Sequence, residues 1–173
     1  NGNEISRASF QEQLDEGWVF GGEHEVYHDE TQMRFFKANT HDTPATAFVS
    51  DYLDRLALHN SLFPDAAYRV EGIMTETKTS PSGRSVKRSK VVVSQEAIIG
   101  DDPSQAQIDD HMANLGFTKL EGYDKPIYRK GDIDVWDVRP GNASIVDGNL
   151  VIFDPRIDRV TKNELNQEKV AKE

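Results

Sequence analysis

An α+β fold is predicted for this chain by three observations. Strand-like and helix-like segments come in groups (strands, helix, strands, helix, strands), without the regular strand-helix-strand alternation of a parallel sheet. Two segments carry helical spacing with capping and stop residues. The segments between them carry glycine or Asp-Gly turns between apolar runs, the mark of antiparallel hairpins. A chain of 173 residues suits one domain or two small lobes and is long enough to bury a sizeable core.

Taken in order, residues 1–17 form a polar extension whose few apolar positions (Ile5, Phe10, Leu14) permit a short amphipathic helix or a tail that orders on docking. "WVFGGEHEVYHDETQMRFFKAN" reads as a strand, a glycine turn, a strand, the acidic turn "HDET" and the strand "MRFFKA". "TPATAFVSDYLDRLALHNSLFPD" predicts a helix that Thr43 caps and Pro44 opens, and that ends before Pro64. Its apolar stripe is Ala45, Phe48, Val49, Tyr52, Leu53 and Leu56, with Asp51, Asp54 and Arg55 off it. "AYRVEGIMTETK" and "KVVVSQEAIIG" predict a long hairpin. Its basic tip contains Lys78, Arg84, Lys87, Arg88 and Lys90, read as a solvated, mobile loop or as a site for an anionic partner.

"DPSQAQIDDHMANLGF" predicts a second helix, capped by Asp102, opened by Pro103 and closed by Gly116. "IYRKGDIDVWDV" turns at Lys130-Gly131-Asp132, and "ASIVDGNLVIFD" is a hairpin with "DGN" at its turn. The residues from 161 to 173 form a polar tail. Trp18 and Trp136 are expected in the core.

Composition excludes several functions. The chain has no cysteine, which removes disulfides, thiolate catalysis and cysteine-based zinc sites. A formal net charge of −10 argues against general nucleic-acid binding and agrees with a site that holds cations. No apolar stretch reaches the length of a membrane span and no signal peptide is visible, so a cytoplasmic protein is expected. Neither a nucleophile elbow nor a phosphate-binding P-loop is present.

Two motifs carry chemistry. In "DVRPGNASIVDGNLVIFDPR" (137–156) a tight hairpin brings its outer ends together, which places Asn142 near Asp154. Side-chain oxygens without histidine or cysteine suit Mg²⁺, a cation that keeps waters and takes substrate phosphates. Asp137 then serves as base or orienting group for an attacking hydroxyl, and Arg139 as a cation for a phosphoryl oxygen. Each piece alone also reads as ordinary turn chemistry. The second motif, "HEVYH" (24–28), matches the zinc-peptidase pattern, which requires a helix so that both histidines reach one metal. Here Gly21-Gly22 precedes it, "DET" follows, and Val and Tyr inside favour a strand, on which His24 and His28 lie about 13 Å apart. His41, His59 and His111 have no partner at ligand spacing, and His59 is expected to end the first helix.

"DVRPGN" resembles the catalytic loop of protein kinases, and Phe153-Asp154-Pro155-Arg156 stands where that family has its metal-binding Asp-Phe-Gly. "FGGEHEVYHD" (20–29) resembles a shortened glycine-rich loop, "RFFK" places Lys37 at the phosphate-binding lysine, and "VVVSQEAIIG" (91–100) resembles the fifth strand and hinge. Together these segments look most like the compact kinase domain of polyvalent proteins, large multidomain proteins of phages and conjugative elements, over roughly residues 18–157.

The resemblance implies a reduced protein-kinase-like fold: an antiparallel N-lobe sheet with one helix (18–95), a hinge (95–100) and a much shortened C-lobe (101–160). It implies ATP and Mg²⁺ as cofactors. Gly21, Gly22 and Val26 would cover the nucleotide, Lys37 would bind its phosphates, and the backbone of Glu96 and Ile98 would pair with adenine. Asp137 would act on the acceptor hydroxyl, Arg139 would stand near the transferred phosphate, and Asn142 and Asp154 would hold the metal.

The pattern departs from the family in four places. The glycine loop is incomplete. Val135-Trp136 replaces His-Arg, and Pro155-Arg156 replaces Phe-Gly. The acid expected to pair with Lys37 is open between Asp51, Asp54, Glu23 and Glu25. Only 19 of the 173 residues follow Asp154, so an activation segment and a helical peptide platform are not expected, and a homodimer or a neighbouring domain is expected to cover the shortened lobe. The functions carried forward are a Mg²⁺·ATP-dependent phosphotransferase to a hydroxyl acceptor, a pseudokinase serving as a nucleotide-binding or interaction module, and, third, a zinc hydrolase through "HEVYH".

Overall fold

The computed structural model describes residues 4–5, 19–20, 24–39, 48–79 and 82–161. The chain divides into two compact units, Asn1–Asn60 with Ala67–Ala97, and Ser61–Ala66 with Ile98–Glu173.

The first unit is built on a six-stranded sheet in the order β1-β5-β6-β4-β3-β2. Its strands are β1 (Glu4–Ile5), β2 (Val19–Phe20), β3 (His24–Asp29), β4 (Arg34–Asn39), β5 (Arg69–Thr79) and β6 (Ser85–Glu96). Every pairing is antiparallel except β1 on β5, which is parallel. The expected all-antiparallel sheet therefore gains a parallel edge strand from a segment read as helix or tail. Two residues of strand are too short to show the alternation that announces one. "HEVYH" lies in β3, so the helical spacing that a zinc peptidase needs is not formed. The turn between β3 and β4 is built by Asp29, whose carboxylate accepts from the Thr31 hydroxyl and from the backbone N–H groups of Thr31 and Gln32.

Alternation along the strands gives the sheet two apolar faces. On one, Val91 and Val93 of β6 pack beneath Tyr52 and Leu56 of helix α1 (Val49–Leu62), with Tyr68 beside them. On the other, Ala38, Met74 and Val92 cluster with Tyr27 and Phe36. The helix buries a narrower stripe than its spacing predicts. Tyr52, Leu56 and His59 are buried, whereas Phe48 is 68% exposed and Val49 and Leu53 also lie exposed. Thr43 and Pro44 lie outside the described residues. His59 lies in the last turn of the helix, as expected, and is buried, its ring centroid 4.7 Å from that of Tyr68.

The basic hairpin tip is smaller than the sequence suggests. β5 and β6 pair as far as Thr79 with Ser85, so Lys87 and Arg88 are strand residues. Lys90 is not at the tip at all. It is 2% exposed, 2.6 Å from Glu25 Oε1 and 3.3 Å from Glu76 Oε1. A buried ammonium needs such partners because desolvation alone would cost several kcal/mol.

The second unit holds a four-stranded antiparallel sheet in the order β12-β9-β8-β7 and the separate hairpin β10-β11. The strands are β7 (Thr118–Lys119), β8 (Ile127–Lys130), β9 (Ile133–Trp136), β10 (Ala143–Val146), β11 (Asn149–Ile152) and β12 (Arg156–Arg159). Gly131, at φ 62°, turns the β8-β9 hairpin, and Asp147-Gly148, at φ 50° and 80°, turns β10-β11, as the sequence predicts. Helix α2 (Gln105–Asn114) is capped by Ser104, not Asp102: the Ser104 hydroxyl accepts from Gln107 N and the Gln107 side chain accepts from Ser104 N. Pro103, expected inside the helix, is buried just before it. Gly116, at φ 84°, ends the helix as expected. Ile108 and Met112 on its inner face are fully buried, as are Ile127, Val135 and Ile157 of the unit's strands. Trp136 is half-buried, with Tyr123 edge-on at 6.3 Å, so it borders the core without filling it. Trp18 and the tail beyond 161 lie outside the described residues.

Candidate active site

The segment between β9 and β10 contains the catalytic-loop motif. Asp137 stands at φ 56°, a left-handed conformation that Asp tolerates better than most residues. Pro140–Asn142 then form a 3-10 turn, closed by Asn142 N donating to Arg139 O at 2.8 Å. Asn142 is buried and its Nδ2 donates both to the Asp137 carbonyl, at 2.8 Å, and to Asp137 Oδ2, at 3.0 Å. Arg139 Nε lies 2.9 Å from Asp137 Oδ1. Both of these side chains are largely solvated, so the pair orients Arg139 more than it stabilises the fold. Gly141 makes room for it, since a Cβ there would stand 2.8 Å from Arg139 Nη1. Asp137, Arg139 and Asn142 therefore form one hydrogen-bonded group.

Asp154 follows β11. The hairpin register sets Ala143 opposite Ile152, and Phe153 N donates to Asn142 O at 3.0 Å, so Asp154 is the next residue past that closure. Asn142 and Asp154 are the two oxygen-bearing residues at this end of the hairpin. Their chemistry fits a hard divalent cation: with its amide nitrogen committed to Asp137, Asn142 keeps Oδ1 as acceptor, and Asp154 is exposed. Pro155 and Arg156 do not open an activation segment; Arg156 begins β12, opposite Trp136.

The loop is held from below by groups that the motif does not announce. Gln105 Nε2, in the first turn of α2, donates to the Val138 carbonyl at 3.2 Å and to the Tyr128 hydroxyl at 2.9 Å. Tyr128 is buried and donates to Asp109, which also pairs with Lys119 at 2.6 Å. Burial and the neighbouring carboxylate push the Tyr128 phenol well up. Burial works to raise the Asp109 carboxyl, but hydrogen bonds from Lys119, Tyr128 and Gln105 outweigh it and hold Asp109 below its ordinary value. The only local signal for this network is the i, i+4 spacing of Gln105 and Asp109.

In the first unit, Lys37 is buried on β4, with Val26 of β3 and Val93 of β6 on the same rung. The structure thus sets Val26 and Lys37 side by side. Lys37 Nζ donates to the Tyr68 hydroxyl at 3.0 Å and lies 5.0 Å from the centroid of its ring. Of the acids considered for Lys37, Asp51 and Asp54 are exposed, Glu25 is taken by Lys90, and Glu23 lies outside the described residues, as do Gly21 and Gly22.

β6 ends at Glu96, opposite Arg34, and Ala97 N donates to Met33 O at 2.8 Å. Alternation then turns the backbone groups of Glu96 to the other side. There β5 begins only at Arg69, level with Ser94, so no β5 residue stands opposite Glu96. Ile98, half-buried, opens the long second segment of the second unit.

A family model for serine/threonine/tyrosine kinases found in polyvalent proteins matches residues 3–161. No curated protein and no solved structure matches the chain.

Proposed function

Since the chain belongs to the kinases found in polyvalent proteins, we propose that it transfers a phosphoryl group from Mg²⁺-bound ATP to a hydroxyl acceptor, on a reduced protein-kinase-like fold. The observation that carries this reading is the 137–142 loop. Its acid is held in a left-handed conformation by Asn142, which grips both its carbonyl and its carboxylate. Backbone held in a sparsely populated region is found often at functional sites.

In this reading Asp137 orients the acceptor hydroxyl and takes its proton as the new bond forms. Arg139 adds positive charge beside it. Asn142 Oδ1 and the Asp154 carboxylate are the metal ligands. Lys37 holds phosphate oxygens, Val26 covers the nucleotide, and the backbone at Glu96 and Ile98 pairs with the base. Mg²⁺, when bound, supplies charge neutralisation at the phosphate oxygens.

Release of ADP from ATP in the presence of Mg²⁺, with water or the protein itself as acceptor, tests the proposal. Turnover by the wild type and a loss of about 10²-fold or more in Asp137→Asn are expected. A second reading rests on a separate observation. Both Asp137 carboxylate oxygens are already engaged, by Arg139 and by Asn142, which suits a pseudokinase that binds nucleotide without transfer. Magnesium-dependent nucleotide binding without turnover would select it.

A further inference from the structure

We propose that Gln105, the first residue of α2, is a positioning residue for Asp137, acting through the backbone of the 137–142 loop, with Tyr128 and Asp109 setting the way its amide faces. The inference rests on the reading of Asp137 as the group that acts on the acceptor hydroxyl, and specifies what holds it. Three successive carbonyls of the loop each receive a donor. Asn142 Nδ2 reaches Asp137 O at 2.8 Å, and Asn142 N reaches Arg139 O at 2.8 Å. Both of these bonds close the loop on itself. The carbonyl between them, that of Val138, takes Gln105 Nε2 at 3.2 Å, and this bond ties the loop to the helix. The peptide plane that carries Val138 O also carries Arg139 N. Fixing that plane sets the direction in which Arg139 leaves the backbone, and Arg139 Nε meets Asp137 Oδ1 at 2.9 Å.

A glutamine amide can present either its nitrogen or its oxygen, and the surroundings decide which. Here the decision starts at Asp109. Its Oδ2 is held by Lys119 Nζ at 2.6 Å, and its Oδ1 accepts from the Tyr128 hydroxyl. With its proton given to Asp109, the Tyr128 oxygen faces Gln105 as an acceptor. Gln105 Nε2 then stands 2.9 Å from Tyr128 Oη, 3.1 Å from Asp109 Oδ1 and 3.2 Å from Val138 O. Every one of these neighbours accepts, so the amide turns its nitrogen to them and shares its protons among them. Tyr128 and Val138 are both buried, which fixes the two ends of the relay. The Ser104–Gln107 capping box fixes the helix start from which Gln105 projects.

The test uses the full chain. Gln105→Met keeps the length of the side chain and removes the donor. Tyr128→Phe keeps the buried ring and removes the hydroxyl, and it carries the test where Gln105→Met does not fold. In the nucleotide-free protein the side-chain N–H resonances of Asn142, which donate to Asp137, should shift in Gln105→Met, and their exchange with water should quicken about tenfold. Tyr128→Phe should move them in the same direction, by less. In turnover of ATP with Mg²⁺, Gln105→Met should lower kcat about tenfold while KM for ATP stays within about twofold. It should lower kcat no further when added to Asp137→Asn. Asn142 resonances that stay in place in either variant would overturn the proposal. So would a loss of the same size in the Asp137→Asn background, which would mean that Gln105 supports the fold at large. A wild type without turnover overturns the phosphotransfer reading instead, because the Asn142 resonances test the positioning without it.

Discussion

Asp137 shows how much one residue can reveal. Its φ of 56° costs most side chains about 1 kcal/mol, whereas asparagine enters that region nearly as readily as aspartate. Asp137→Asn, which keeps one of the two accepting oxygens, should therefore cost less stability than Asp137→Ala, which should lose about 1 kcal/mol, while both impair transfer. Urea denaturation beside an ADP-release assay checks this. Equal stability of the two variants would mean that the left-handed backbone is not strained. Asp137, Arg139 and Asn142 were legible in the sequence because they sit within six positions and bond to one another. Lys90 was misread for the opposite reason. Its solvated appearance came from the basic residues around it, while its partners Glu25 and Glu76 arrive on other strands.

At the scale of an element, helix α2 ties the second unit's core to its loop. Asp109 is held below its ordinary value of 3.8 in the folded chain, so the unfolded chain binds the proton more readily. Its contribution to stability is present above that value and is lost as pH falls through the lower folded one. The stability gap between wild type and Asp109→Asn should stay constant near neutrality and close in the acid range below 3.8, as read by denaturation midpoints across pH. A gap that stays constant through the acid range would show that the carboxylate's charge is not what the network uses.

The segment leading into α2 carries a second constraint. Asp101 bridges to Ile145 through Asp101 N to Ile145 O at 3.0 Å and Ile145 N to Asp101 O at 2.8 Å. A Cβ on Gly100 would fall on the Ile145 carbonyl oxygen. Gly100→Ala should destabilise by about 2 kcal/mol, the cost of overpacking against backbone, with a control at Gly148, where a Cβ meets nothing. There the φ of 80° alone should cost about 1 kcal/mol. Both helices were legible as helices from their periodicity. Their details were not, because Asp102 and Ser104 both satisfy the rule for a cap, and only the Ser104–Gln107 exchange of hydrogen bonds decides between them.

At the scale of the whole molecule, the nucleotide proposal makes separate predictions for Lys37 and for Asp154. Calorimetric titration of the ATP analogue should show weaker binding for Lys37→Met whether or not Mg²⁺ is present. Asp154→Asn should abolish only the magnesium-dependent part. Loss of both parts in Asp154→Asn would instead place this carboxylate in the scaffold. By itself, the sequence determined what local rules govern: the α+β class, the antiparallel hairpins, the turns at Gly131 and Asp147-Gly148, and the end of α2 at Gly116. Each of these follows from residues a few positions apart, where backbone sterics and alternation suffice. The tertiary structure alone decided the parallel edge strand β1, the strand β12 after Asp154, the burial of Lys90, and the contact of Lys37 with Tyr68. Those depend on which distant strands and helix ends come into register, and side chains 31 and 65 positions apart meet only when a shared core brings their strands together.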